Sequence, residues 1–216
     1  MPKPRTDLTW VPAIVLAAGA SVRLGQPKQL LRLAAFGGET LIDHTVGVAQ
    51  AAGVAPIFVV LGASAKEIRR ECALRDCVVV RNDAWKEGMA SSIRLGIAAV
   101  MGNVPDASGA MVLVCDQPAL SADHLRKLVN AHRSDPNGIV ASRYGGRTGV
   151  PAVFPCAVFP ALLELQGDQG ARAMLQQPGL AVRAIELRGG ELDLDSPGDL
   201  ERLELDSLSQ PPAEQG

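Results

Sequence analysis

Residues Val15–Leu31 read VLAAGASVRLGQPKQLL, and the fold turns on what this stretch is. Its first half could close the apolar segment of an export signal. Lys3 and Arg5 precede "WVPAIVLAAGA", and small residues come next, where a signal peptidase would cut. Its second half has the composition of a loop that holds an anion. The apolar run is short for an export signal and matches a buried strand equally well. The next forty residues decide between the two, because Val11–Leu16 opens a regular alternation of strands and helices. Cleavage near Ser21 would delete the first strand.

"GETLIDHTVGVAQAAG" has Thr40 as a helix N-cap, apolar residues at helical spacing and Gly53 as a stop. "PIFVVLG" is a second strand, and "SAKEIRRECAL" a helix opened by Ser64 with Glu67 three residues on, a capping box. "CVVVRN", the helix "MASSIRLGIAAVM", the strand "GAMVLVCD" and the Ser121-capped helix "SADHLRKLVNAHR" continue the pattern. Strands apolar throughout, separated by helices, predict an α/β domain with a parallel sheet covered on both faces. From Ile139 the rhythm changes. "IVASRYGGRTGVPAVF" reads as two strands joined at Gly145-Gly146. Helical stretches are predicted at Ala157–Leu165 and Gln169–Gln176, strands at "AVRAIEL" and "ELDLD", and a last helix at "SPGDLERLELD" with Pro197 in its first turn. A single domain over 11–206 is expected, with loose tails at 1–10 and 207–216.

In an open α/β sheet, ligands sit at the carboxyl ends of the strands. The loop Ala17–Gln29 lies at such an end. Gly19 and Gly25 can take positive φ and bring backbone N–H groups to a ligand. Arg23 and Lys28 add positive charge and Ser21 a hydroxyl, a combination suited to polyphosphate. The loop lacks GxGxxG. It is not a P-loop either, since Gly25-Gln26-Pro27-Lys28 replaces the required Gly-Lys-Ser/Thr. A surface loop with two incidental bases is the plainer alternative.

At this point the sequence becomes recognisable. "LAAGASVRLGQPKQLL" closely resembles the nucleotidyltransferase signature LAAGxSxRxGxxKxL, in the branch containing the molybdenum cofactor cytidylyltransferases. The resemblance covers about residues 11–205. It implies a three-layer, Rossmann-like nucleotidyltransferase fold with a mostly parallel central sheet and a small mixed subregion on the acceptor side. Residues 11–138 are then mainly the nucleotide-binding half and 139–206 mainly the acceptor-binding half. The implied reaction is transfer of CMP from CTP to the terminal phosphate of a molybdopterin-type acceptor, with Mg²⁺ as cofactor and pyrophosphate as product. Arg23, Lys28 and Asp116 are implied as catalytic.

The resemblance places a metal-binding aspartate in "VCDQP", at Asp116, and a second carboxylate in "ELDLDSPGDL". Asp193 matches the usual second ligand by position; Asp195 lies on the same side if the strand continues, or is an N-cap. Asp199 reads as first-turn dipole compensation. Leu16, Ala17, Ala18, Gly19, Ser21, Arg23 and Lys28 are expected around the nucleotide. Gly62, Gly88, Ser91 and Ser92 are expected beside its base, although one of the two serines reads equally as a helix cap. Ala18 favours CTP, because LAGG accompanies guanosine in the resembled families and a side chain here replaces that glycine. "RTGVPAVF" and "GDQGAR" match acceptor-side motifs, so Arg172 or Arg147 would meet the acceptor phosphate and Asp168 would cap the helix facing it.

The composition agrees. A net charge of −2 supplies no general attraction for nucleic acid or anionic membrane, so any phosphate binding must be local. No run of 18 apolar residues spans a membrane. Cys72, Cys77, Cys115 and Cys156 form no metal or CxxC pattern and read as buried thiols of a reducing, cytoplasmic compartment. His44, His124 and His132 all fall within predicted helices, so no histidine base is expected. Expected partners are small molecules, with transient contact to a molybdoenzyme, in a monomer or weak homodimer. Three alternatives stay open: a guanylyltransferase, a sugar- or polyol-phosphate cytidylyl- or uridylyltransferase, and a non-catalytic protein that delivers cofactor.

Overall fold

The apolar runs become strands whose successive side chains feed two cores. In this computed structural model, which describes residues 10–74, 76–177 and 179–209 and the side chains of these up to 203, seven strands form one sheet. They are β1 (Ala13–Ala17), β2 (Ile57–Leu61), β3 (Cys77–Arg81), β4 (Gly109–Val114), β5 (Ile139–Tyr144), β6 (Arg147–Pro155) and β7 (Val182–Glu186). Their order is β3-β2-β1-β4-β6-β5-β7, and only β6 runs against the others. Ala13, Val15 and Ala17 of β1 point into one core, with Ile57, Val59 and Leu61 of β2. Ile14 and Leu16 point into the other, with Phe58 and Val60.

Helices α1 (Leu41–Ala51), α2 (Ala65–Glu71) and α4 (Ala122–Ser134) cover the first face. Helices α3 (Met89–Asn103), α5 (Phe159–Leu163) and α6 (Ala171–Leu175) cover the second. The predicted three-layer architecture is therefore present. Thr40 and Ser121 cap α1 and α4, accepting bonds from the N–H groups of Asp43 and His124. The β5–β6 hairpin turns at Gly145 and Gly146, with φ of 53° and 72°, the backbone a two-residue turn of primed type demands.

Several expectations are corrected. Ser64 precedes α2 but its side chain makes no capping bond, because its ψ of 26° departs from the extended geometry a cap requires. "ELDLD" is not a strand. After the edge strand β7 the chain crosses the carboxyl end of the sheet instead of pairing along it, and is tied down where the Leu194 N–H donates to the Asp116 carbonyl at 2.9 Å. The helices at Ala157–Leu165 and Gln169–Gln176 shrink to α5 and α6. The last helix, α7 (Pro197–Ser209), takes in 207–209 of the expected tail, while 1–9 and 210–216 lie outside the described residues. Cys72 and Cys115 are buried as expected, but Cys156 is exposed and Cys77 half-buried.

The histidines are structural. His124 Nε2 lies 2.7 Å from Ser142 Oγ, which donates to the Pro151 carbonyl. His44 stacks on Phe36, and His132 Nε2 lies 3.0 Å from Ser108 Oγ. Burial lowers the imidazolium pKa of all three, that of His124 to about 4 from an ordinary 6.5. Between those values the unfolded chain binds a proton that folded His124 refuses, so stability falls as the pH drops from about 6.5 toward 4. Thermal denaturation across that range should show a falling Tm, and His124→Gln should flatten the slope.

Candidate active site

The chain runs out from β1 through β2 to β3 on one side, then returns to β4 on the other. That makes the carboxyl ends of β1 and β4 the switch point of the sheet, where open α/β folds bind ligands. Lys28 lies beyond the end of β1 and Asp116 beyond the end of β4. The two meet there.

Lys28 Nζ lies 2.5 Å from Asp116 Oδ2 and 2.8 Å from Asp195 Oδ1. Arg23 reaches the other Asp195 oxygen at 2.7 Å. Burial works against charge on Lys28, but Asp116 and then Asp195 outweigh it and hold the ammonium well above the usual lysine range. Burial also works against the Asp195 carboxylate, and Lys28 and Arg23 outweigh it, keeping that group below its usual range. Asp193 faces Arg147 at 3.8 Å. Its carboxyl is raised, first by burial and next by the like charge of Asp116. Asp193 and Asp195 line one cavity, with Leu194 between them buried among Leu31, Leu33 and Leu41. That small cluster fastens the carboxylate segment to the chain just past the Lys28 loop.

Two cavities meet at this point, sharing Leu16, Lys28, Met89, Val114, Asp116 and Asp168. One, of about 480 Å³, is lined by Ala17, Ala18, Gly19, Ala20, Val22, Gln29, Trp85, Lys86, Gly88 and Ser92, and is mainly apolar. The other, of about 560 Å³, is lined by Arg23, Gln117, Tyr144, Arg147, Arg172, Asp193 and Asp195 among others. The first suits a flat base on its apolar wall, with phosphates running between residues 18–20 and the junction. The second suits an anionic partner, with Arg147 and Arg172 in its lining. None of His44, His124 and His132 lines either cavity.

Individual residues are placed unevenly. In the loop, Gly25 takes a positive φ of 69° as expected, but it is Ser21, not Gly19, that adopts the second such conformation, at 53°. Ser21 Oγ accepts the Lys28 N–H at 3.0 Å and so closes the loop behind the lysine. Gly62 lines neither cavity. A Cβ there would lie 2.6 Å from the Ala18 carbonyl and 2.8 Å from Trp85 Cβ, so its bare backbone permits close packing against both. Gly88, with φ of 107°, lets residues 167–168 press against the start of α3. Ser91 donates to the Gly88 carbonyl and accepts from Asn82, so its hydroxyl is spent inside the protein. Ser92 also accepts from Asn82 but lines the apolar cavity. Asp168 stands at the junction of the cavities, and Gly170 occupies the cap position of α6.

Sequence reasoning passed over Gln29, Asn82, Gln117 and Tyr144. Gln29 and Gln117 are almost fully buried, and each has a side-chain oxygen with no partner. The available signal was an amide among apolar neighbours in "KQLL" and "VCDQPAL". Among the described residues no three His, Cys, Asp or Glu side chains form a ready-made metal cage. No described helix is long and apolar enough to cross a membrane.

Comparisons with known proteins agree with this fold. A family model described as the MobA-like NTP transferase domain matches residues 13–182. Nicotine blue oxidoreductase of Paenarthrobacter nicotinovorans is 33% identical over 190 residues, which cover 84% of this chain and 89% of that protein. Purine catabolism protein PucB of Bacillus subtilis is 32% identical, over 85% of this chain and 91% of its own. The solved structure of Rv0371c from Mycobacterium tuberculosis has a TM-score of 0.77 at 33% identity, covering 90% of this chain and 98% of that one. The same protein in complex with manganese gives 0.76 at 31% identity, with the same coverage.

Proposed function

This chain belongs to the MobA-like NTP transferase family, and from that premise we propose that it transfers CMP from CTP to the terminal phosphate of a molybdopterin-type cofactor, releasing pyrophosphate with Mg²⁺ bound. The observation that carries this reading is the Lys28 ammonium held between Asp116 and Asp195 where the two cavities join. Charge of both signs, gathered at that junction, is what phosphoryl chemistry needs and what simple binding does not.

The donor set fits a hard divalent ion. One oxygen of Asp116 is buried without a hydrogen-bond partner, and Asp193 and Asp195 reach the same cavity. Two carboxylates completed by phosphate oxygens are the usual arrangement for such an ion. Asp116 with Asp193 or Asp195 would hold it, and when bound it neutralises charge on the phosphate oxygens. The related Rv0371c has been solved in complex with manganese, which supports a divalent ion for this chain as well.

The chain's own residues do the rest. Lys28, kept charged, and Arg23 neutralise the triphosphate as negative charge moves onto the departing pyrophosphate. Arg147 and Arg172 orient the acceptor phosphate. That phosphate is already largely ionised at neutral pH, with a second pKa near ~6, so its oxygen attacks the α-phosphorus without a general base. A new P–O bond forms as the bond to pyrophosphate breaks in line. Catalysis then rests on positioning and electrostatics. Ala18 lines the apolar cavity, and a residue with a side chain there, where the guanosine-type signature has glycine, is the ground for CTP over GTP.

A second reading has one observation behind it: a relative 33% identical is named an oxidoreductase. The loop lacks the dinucleotide glycine fingerprint, which counts against a Rossmann-type NAD site here. One assay separates the readings. Pyrophosphate release is measured with each of four nucleoside triphosphates, Mg²⁺, and either molybdopterin or sugar phosphates as acceptor. CTP with molybdopterin should give pyrophosphate, and omission of the acceptor should abolish it. Release with GTP alone makes the protein a guanylyltransferase. CTP binding without release from any acceptor favours a delivery protein. Oxidation of NADH without release favours the redox reading.

A further inference from the structure

Gln29 is 1% exposed, and its Nε2 donates to the carbonyls of Ala17 and Gly19, both at 3.0 Å. It therefore reaches back across the loop to fix two alternate peptide units of the turn after β1. In a trans peptide the C=O and N–H point in opposite directions. Turning the Ala17 and Gly19 carbonyls toward Gln29 turns the N–H groups of Ala18 and Ala20 away from it. The intervening carbonyl of Ala18 is held by the Ala63 N–H at 3.1 Å. Ala18, Gly19 and Ala20 line the apolar cavity beside Lys28, and Gln29 lines it from behind.

We propose that Gln29 is a positioning residue for the nucleotide: it draws two carbonyl oxygens away from the phosphate position and so presents the N–H groups of Ala18 and Ala20 to it. The inference rests on the reading of this cleft as a nucleotide site. A carbonyl facing a phosphate repels it, whereas an N–H binds it, so the direction of these peptide units sets the sign of the local field. The charged residues of the loop cannot do this alone, because Lys28 is already engaged by two carboxylates.

The test measures CTP binding calorimetrically in the absence of acceptor, with steady-state KM values for both substrates. Gln29→Leu leaves both carbonyls unpartnered, and Gln29→Glu sets oxygens against them. Each should weaken CTP binding by about 10-fold or more, a loss equivalent to about one charge-assisted hydrogen bond, with acceptor KM unchanged. A purely structural role would move both KM values together with Tm. In wild-type protein, the amide NMR signals of Ala18 and Ala20 should shift on CTP addition, a readout independent of any variant. Folded variants that bind CTP within twofold of wild type, or CTP binding that leaves both amides unshifted, overturn the proposal. Wild-type turnover with unaffected variants sinks the Gln29 role alone. Amide shifts without pyrophosphate release keep the Gln29 role and remove the transferase reading. No CTP binding at all removes both.

Discussion

Asp116→Ala should yield a folded protein whose pyrophosphate release falls by at least ~10²–10³, the loss typical when a group stabilising transition-state charge is removed. Asp116 is the carboxylate at the end of β4, and the cavities on both sides of the junction include it. Its backbone carbonyl, which receives the Leu194 N–H, is untouched by the substitution and continues to anchor the 191–195 crossing. Lys28 keeps Asp195 as a partner. Tm should therefore move far less than activity. Asp116→Asn offers a stricter comparison, since it retains size and removes only charge. A second readout needs no substrate. Asp116 is among the causes that raise the Asp193 carboxyl, so removing its charge should move the Asp193 titration downward in carbon NMR. Turnover at the wild-type rate by the folded Asp116→Ala protein would end the assignment, whatever happens to Asp193.

The architecture was legible where strands are buried on both faces, as β1, β2 and β4 are. Residues such as Val15, Val59 and Leu113 face one core and Ile14, Phe58 and Val112 the other, so each of these three strands reads as an unbroken apolar run between turn signals. Helix caps were legible where the cap geometry is local, as at Thr40 and Ser121. They failed at Ser64, where a backbone dihedral set by packing outweighs the motif. "ELDLD" has strand alternation, but its place across the sheet end depends on contacts with residues some eighty positions earlier, which no local pattern reports. The same reason hides the division between Asp193 and Asp195. Both carboxylates reach the cavity, and only the folded chain brings Asp195 to Lys28 and Asp193 to Arg147. Gln29 and Gln117 were missed because a buried amide announces itself only once its surroundings are known. Gly62 was ambiguous for the opposite reason: a glycine at a strand end fits ligand approach and tight packing equally well, and here Trp85 and the Ala18 carbonyl pack close against it.

Lys28→Ala should be as damaging to transfer as the loss of Asp116, and for a separable reason. On the proposed reading the ammonium contributes charge to the nucleotide; in the structure it keeps two carboxylates side by side, both its own side chain and that of Asp116 being mostly buried. Without it, Asp116 and Asp195 face each other across a partly desolvated gap with only Arg23, on the solvent side, to compensate. The two expected effects have opposite signs. Pyrophosphate release should fall by at least ~10²–10³, because the triphosphate loses its most buried cation. Affinity for Mn²⁺ in the absence of nucleotide should rise, because a pair of carboxylates stripped of their resident cation favours another one. Paramagnetic relaxation of water by bound Mn²⁺ measures the second effect without any turnover. Lys28→Arg separates the roles further: it retains the charge but not the compact single-point geometry that lets one nitrogen meet both oxygens, so it should restore weak Mn²⁺ binding while leaving transfer low. If Lys28→Ala transfers CMP normally, or if it binds Mn²⁺ no better than wild type, the ammonium is only a structural ion-pair partner. The convergence of Asp116 and Asp195 upon it would then carry no catalytic meaning.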